Sequence, residues 1–172
     1  IGFFIPQPLD SDGVAKAMVD WHAAYPQFGE ELANDNLHAF SFRALESYGL
    51  LCKEPVSSLA DLKGKRIRSY GFAYPALIEA MGATPVSITT SDTYEALERS
   101  IVDCAPIGPA LARGFKYDEV AKHYIEIPFG ASFGHLLAIN IDTYKAMDEE
   151  TRGVLDQLGK DYIVEYGRML SE

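Results

Sequence analysis

From Asp61 to Phe115 the chain alternates between short extended runs and short helical ones, and this alternation limits the fold more than any other feature. DLKGKRIRSY gives a turn and a strand, GFAYPALIEAMG a helix, and TPVSITT a second strand, which together make a βαβ unit. Within that helix Tyr74, Leu77, Ile78 and Met81 fall at i, i+3, i+4 and i+7, one apolar stripe, and Gly82 sits where a helix end favours a left-handed residue. Ser91 is placed to cap a second helix carrying Tyr94, Leu97 and Ile101. VDCAPI then reads as a third strand and GPALARGF as the start of a further helix, with Pro109 in its permitted first turn. Strands joined by helical crossovers are parallel, so their carboxyl ends share one edge of the sheet. Three loops meet there, Arg68 to Phe72, Ile88 to Ser91 and Ala105 to Pro109, and open α/β sheets bind ligands at such an edge.

The flanks are less regular. Val14, Met18, Trp21, Tyr25 and Phe28 recur at helix-compatible intervals broken by Pro26, which predicts two short helices meeting at a bend, with Trp21 as a core anchor. LHAFSFRAL, residues 37 to 45, alternates as a strand does, and GLLCKEPV supplies a short second one. HYIEIPF and HLLAINI read as extended segments on either side of a GASFG turn. From Asp148 onward Leu155, Leu158, Tyr162, Tyr166 and Met169 describe one long helix whose acidic first turn complements its dipole.

Charge narrows the partners. Fifteen Lys and Arg against 25 Asp and Glu give a formal charge of -10, a field that repels phosphate backbones and anionic headgroups, so nucleic acid is excluded as a partner. No apolar run approaches the roughly 20 residues of a membrane-spanning helix. Cys52 and Cys104 are too few for a disulfide framework or a thiolate zinc site, and are compatible with two core thiols or with a single bridge in an oxidising compartment.

Arg68 is the foremost candidate for chemistry. It ends a strand and is followed by Gly71, so a guanidinium fork and bare backbone amides can converge on one carboxylate; an ordinary salt bridge is the competing reading. Tyr70, Phe72 and Tyr74 cluster just after it, and Phe129 and Phe133 border the later turn, so some of these rings can wall an apolar pocket. Gly130, Ser132 and Gly134 match the G-x-S-x-G pattern of a hydrolase nucleophile elbow, but the strand-like HLLAINI follows where an elbow needs a helix, and His135 as a strand neighbour points to the opposite face. His22, His38 and His123 are scattered singly without metal-ligand spacing, and Glu30 with Glu31 and Glu149 with Glu150 read as solvated helix faces. Neither a phosphate-cradling loop nor a dinucleotide fingerprint is present, so no cofactor is called for.

Several motifs, in order and spacing, resemble the central block of DctP-type solute-binding proteins of TRAP (tripartite ATP-independent periplasmic) transporters. DLKGKRIR resembles the family's D-L-K-G-x-K-I/L-R, MGATPVSI its G-A-x-P pattern, SDTYEAL its S-E-x-Y-x-A-L, SIVD its x-V-D-G, and INIDTYKAM its I-N-x-x-T/W-Y/W pattern. The resemblance covers residues 55 to 150 well and the flanks loosely. It implies a type II periplasmic-binding-protein-like α/β fold of two lobes, with residues 1 to 47 and 134 to 172 in the first lobe, 48 to 133 in the second, and hinges near 46 to 49 and 131 to 135. Further parts of the first lobe are then expected outside this sequence. The implied function is that of a periplasmic, non-enzymatic receptor that binds a small organic acid and delivers it to the membrane permease. The rivals are a serine hydrolase using Ser132 and a ligand-sensing domain of a signalling protein. By motif position Arg68 pairs with the ligand carboxylate, Tyr70 and Gly71 lie beside it, Thr90 stands where the family often places an aromatic, and Ile107 where it often places an amide; Phe72 and Phe133 complete the expected lining. VDCAPIG departs from the pattern, with Cys104 in place of its glycine. We therefore expect a ligand less hydroxylated than a sialic or sugar acid, namely a keto, aliphatic or aromatic monocarboxylate.

Overall fold

A computed structural model describes residues 11–127 and 131–171. Contacts divide the chain into two compact units, Ser47–Phe129 and the pair of flanking segments Ile1–Glu46 and Gly130–Glu172. Along the chain the elements are α1 (Ser11–Ala24), α2 (Gln27–Asn34), β1 (Leu37–Ser47), β2 (Gly49–Cys52), a 3-10 turn (Leu59–Leu62), β3 (Arg66–Ser69), α3 (Ala73–Ala80), β4 (Thr84–Ser87), α4 (Thr93–Glu98), β5 (Cys104–Ile107), α5 (Pro109–Gly114), α6 (Tyr117–Val120), β6 (His123–Ile125), β7 (Ala131–Asn140), α7 (Ile141–Ala146) and α8 (Glu149–Ser171). Among the described residues no helix is long and apolar enough to cross a membrane.

The Ser47–Phe129 unit is a five-stranded sheet in the order β4-β3-β5-β2-β6. β3 runs parallel to β4 and β5, as the helical crossovers require, while β2 is antiparallel to both its neighbours, β5 and β6. The carboxyl ends of β3, β4, β5 and β6 therefore share one edge with the start of β2. There Gly49 pairs with Ile107, and a Cβ on Gly49 would collide with the Ile125 carbonyl and reach the Tyr124 ring at 2.7 Å.

Strand alternation gives this sheet two apolar faces. Leu51, Ala105 and Ile107 pack with Ala96 and Leu97 of α4, Ala112 of α5, Tyr117 of α6 and Ala121 just after it. Leu50, Cys52, Cys104 and Ile67 pack on the opposite face with Leu62 of the 3-10 turn and Tyr74 and Ile78 of α3. Each fully buried Leu or Ile contributes about 1.5–3 kcal/mol relative to exposure, and Leu50, Ile67 and Leu97 are completely buried. Directly opposed on β2 and β5, Cys52 and Cys104 form a disulfide, which decides between the two readings left open above.

The α3 stripe is narrower than its spacing predicts, since Tyr74 and Ile78 are buried but Leu77 is 41% exposed. Gly82 ends this segment at φ +77. Ser91 does not cap α4, whose N-cap is Asp92 without a side-chain cap bond; Ile101 falls beyond the helix and is exposed.

In the other unit β1 and β7 form a two-stranded sheet. Gly159 lets α8 lie against β1, for a Cβ there would strike the Phe40 carbonyl, and the buried Ser41 Oγ donates to the Gly159 carbonyl at 2.7 Å. The bend at Pro26 separates α1 from α2 as expected, but Trp21 is 48% exposed and is not a core anchor, because α1 turns it to the surface with Val19. GASFG is not a turn after Gly130: β7 already begins at Ala131, so Ser132 and Gly134 belong to a strand.

Candidate functional site

β3 brings two arginines onto one face, two residues apart, and gives them opposite fates. Arg66 at the start of the strand meets Asp103 just before β5: its Nη2 donates to Oδ1 at 2.9 Å, its Nε to Oδ2 at 3.2 Å, and its backbone N–H to Oδ2 at 2.8 Å. Arg68, close to the carboxyl edge, is only 6% exposed, yet among the described residues no carboxylate pairs with it. Its Nε donates to the Ile88 carbonyl at 3.1 Å and its Nη2 to Thr90 Oγ1 at 3.0 Å. The guanidinium carbon stands 4.4 Å from the centre of the Tyr70 ring. A guanidinium has five N–H groups, so two are held by neutral acceptors and, among the described residues, the other three are left to a partner. Nε and Nη2 bound one edge of the planar group. Both N–H groups of Nη1 and the second N–H of Nη2 remain, and N–H groups on the two terminal nitrogens are those that a carboxylate accepts bidentately.

The tyrosines do not supply the missing negative charge. Tyr70 and Tyr74 pack with ring centres 4.5 Å apart. Burial pushes the Tyr70 phenol well above its ordinary range, the charge and hydrogen bond of Tyr74 add to this, and Arg68 only partly opposes it. Burial likewise raises Tyr74, with Tyr48 adding to the shift. Tyr70 and Tyr74 therefore keep their protons near neutrality and present polar tips on apolar rings. Tyr48 was not singled out by sequence reasoning, because it lies 22 residues before Tyr70 and joins the cluster only through the β2–β5–β3 pairing.

The segment after β4 is held by its own side chains. Thr93 Oγ1, on a completely buried residue, donates to the Thr89 carbonyl at 2.7 Å, Thr89 Oγ1 donates to Asp92 Oδ2 at 2.6 Å, and Tyr117 Oη donates to the Thr90 carbonyl at 2.7 Å. These bonds fix the two acceptors of Arg68, the Ile88 carbonyl and the Thr90 hydroxyl. Sequence reasoning also missed Tyr117. Its only signal is a large aromatic at the start of a one-turn helix, which core packing explains equally well.

The other expected residues are distributed as follows. Gly71 adopts φ +61 with open space where a Cβ would stand, and Phe72, the residue before α3, is 67% exposed. Thr90 is exposed and touches Arg68 directly. Ile107 is 3% exposed and its side chain packs in the α4–α6 cluster, while its carbonyl accepts from Tyr124 Oη at 3.2 Å. Phe133 lies on β7, with a side chain outside the described set, and Phe129 falls outside the described residues. Cys104 lies at the far end of β5, three residues or about 10 Å from Ile107, and its sulfur is committed to Cys52. The departure at Cys104 is thus one of core structure, not of the carboxyl edge.

Ser132 sits inside a ten-residue strand, not at a strand-to-helix elbow, which removes the backbone geometry a hydrolase nucleophile of this motif needs. Among the described residues no group of His, Cys, Asp and Glu is arranged to hold a metal ion. A shallow cavity of about 250 Å³ between α5, α6 and β2 is lined by Leu51, Ala112, Asp118, Lys122 and Tyr124 among others, and not by Arg68.

The family described as bacterial extracellular solute-binding protein, family 7 (DctP), matches residues 11–172. Among similar solved structures, an extracytoplasmic solute receptor of Bordetella pertussis binding pyroglutamic acid is 20% identical with a TM-score of 0.79, over 95% of this chain and 54% of that one. A TRAP periplasmic solute-binding protein of Xanthobacter autotrophicus with bound β-D-galacturonate is 21% identical with a TM-score of 0.77, over 96% of this chain and 56% of that one. A marine metagenome TRAP solute-binding protein in complex with co-purified pyroglutamate is 21% identical with a TM-score of 0.76, over 95% and 54% of the respective chains. The chain thus spans about half the length of these proteins. At such identities the likeness is one of fold, the type II periplasmic-binding α/β architecture.

Proposed function

The chain belongs to the DctP family of bacterial extracellular solute-binding proteins, and we propose that it binds a small organic acid by pairing the Arg68 guanidinium with the ligand's carboxylate. The observation that carries this reading is an arginine 6% exposed, its guanidinium oriented by neutral acceptors and an aromatic face, with no protein carboxylate on it among the described residues. A buried charge costs several kcal/mol unless it is paired, so the group favours a bound anion. Arg66, satisfied by Asp103 on the same strand, illustrates the alternative that Arg68 has not taken.

The pyroglutamate and galacturonate named for the related structures are both carboxylates, which supports the ligand class. Tyr70 and the exposed Phe72 favour an apolar body next to the acid group, and we read the ligand as a keto, aliphatic or aromatic monocarboxylate. Gly71, Thr90 and Ile107 complete the proposed lining on this unit, Ile107 through its backbone. In this reading the two units are the two lobes implied by the motifs, and the loaded protein hands its ligand to the TRAP permease in the periplasm. The Cys52–Cys104 bridge suits that oxidising compartment. The protein acts as a receptor, without turnover.

Calorimetry of the full-length protein against a panel of organic acids, including pyroglutamate and galacturonate, tests the proposal. Arg68→Ala should weaken binding by about 2–5 kcal/mol, roughly 30-fold to several thousand-fold. Arg68→Lys should fall between, because an ammonium lacks the planar fork. The methyl ester of the best acid should bind poorly to the wild type and no worse to Arg68→Ala. Equal affinity of the acid for wild type and Arg68→Ala rules the proposal out.

A further inference from the structure

We infer that Tyr117 is a positioning residue for Arg68, acting through the Thr90 segment, so that a side chain on the α6 helix sets the aim of the carboxylate-binding fork. The inference rests on the Arg68 reading above but concerns a different group, one that never touches the ligand.

The chain of contacts is short. Tyr117 is 1% exposed, stacks beside Phe115 with ring centres 5.5 Å apart, and donates its hydroxyl proton to the Thr90 carbonyl at 2.7 Å. Thr90 Oγ1 accepts from Arg68 Nη2 at 3.0 Å, and the Ile88 carbonyl two residues earlier accepts from Arg68 Nε at 3.1 Å. Thr90 is exposed, so packing does not hold it in place. Thr93 Oγ1 anchors the neighbouring Thr89 carbonyl and Thr89 bonds Asp92, while the Thr90 carbonyl accepts from the Thr93 backbone N–H at 3.3 Å and from Tyr117 Oη at 2.7 Å, the shorter of its two bonds and the one that comes from outside the segment. A long, rotamer-rich side chain binds a carboxylate best when its orientation is set in advance by rigid neighbours. The phenol comes from a well-packed aromatic in the α4–α6 cluster, and it ties the Thr90 carbonyl to that cluster, as the buried Thr93 ties the Thr89 carbonyl.

Two measurements on the full-length protein test this. The first needs no ligand. The Arg68 Nε–H resonance, identified by its loss in Arg68→Lys, should exchange slowly with water in the wild type and roughly 3- to 10-fold faster in Tyr117→Phe, the loss of one neutral hydrogen bond. Thr90→Val, on an exposed residue, should accelerate the same proton with little change in melting temperature. Tyr117→Phe combined with Thr90→Val should exchange no faster than the faster single variant, since both act on one linkage. Additive effects, or an Nε–H unchanged in Tyr117→Phe, overturn the inference. A broadly destabilised Tyr117→Phe with an unchanged Thr90→Val also overturns it, because the phenol is then only a core group. The second measurement is the affinity of the best acid from the panel, which should fall by the same factor in Tyr117→Phe and not fall further when Arg68→Ala is already present. Lost binding in Arg68→Ala with an unaltered Tyr117→Phe leaves the proposed function standing and removes only this inference. Intact binding in Arg68→Ala together with a faster Nε–H in Tyr117→Phe does the reverse.

Discussion

Opening the Cys52–Cys104 bridge should cost the Ser47–Phe129 unit a large share of its stability. The two cysteines are 52 residues apart in sequence and directly opposite on β2 and β5. For a loop of that size the chain-entropy relation gives about 14 cal/mol/K, about 4 kcal/mol at 25 °C. The bridge encloses β3, α3, β4 and α4, so it removes disorder from the part of the unfolded chain that builds the carboxyl edge. Either Cys52→Ala or Cys104→Ala already opens the loop. The double variant should therefore add only the packing of the second sulfur, about 1 kcal/mol in a site with no exposure. Guanidinium titrations of wild type, both single variants and the double variant measure these differences, and alkylation before and after unfolding counts the thiols. Single-variant losses below about 1 kcal/mol, or losses that sum in the double variant, would refute the loop-closure argument. Two alkylated thiols in the native protein would refute the bridge itself.

Gly49→Ala should destabilise the same unit by about 1–3 kcal/mol, because its Cβ meets the Ile125 carbonyl and the Tyr124 ring and neither is a free end that can swing away; a urea midpoint at wild-type value would contradict the predicted approach of β2 and β6. Gly159→Ala should cost a similar amount through the Phe40 carbonyl, seen as a loss of α8 helicity on gentle heating before the remainder unfolds. Burial raises the Asp103 carboxyl, but the hydrogen bonds and charge of Arg66, with Lys65, outweigh it and hold the group below its usual range. A depressed folded-state value means that this contribution is complete above about pH 4 and is lost as pH falls through the folded value. Asp103→Asn should accordingly flatten the acid side of the stability curve, and an acid arm as steep as the wild type's would count against the Arg66–Asp103 pair.

The parallel core of the Ser47–Phe129 unit was legible because its signals are local. DLKGKRIRSY, GFAYPALIEAMG and TPVSITT each carry their own period, and Gly82 marks the turn between the last two. β2 was legible as a strand but not in its direction. GLLC is buried at all four positions, so no alternation tells which face or neighbour it takes. The disulfide was hidden with it, since Cys52 meets Cys104 only once β2 pairs antiparallel with β5. Trp21 failed for the opposite reason: a helical stripe shows which residues share a face of α1, and says nothing about whether that face is covered.

The site shows the same limit at the level of single residues. In the sequence Arg66 and Arg68 are near-equivalent cations on one face of one strand, and a salt bridge is an equally good account of either. The difference is made by Asp103, 37 residues from Arg66, which reaches the start of β3 because the backbone before β5 crosses there. That single carboxylate is fully used on Arg66, accepting two side-chain N–H groups and one backbone N–H. Two strand residues further on, about 7 Å along β3, Arg68 meets only a carbonyl, a hydroxyl and a ring. Neutral acceptors orient a guanidinium without cancelling its charge, so Arg68 keeps its positive charge near the carboxyl edge in a chain of net charge -10. On the proposed reading, an anion bound at Arg68 gains an attraction that a chain of net negative charge otherwise withholds.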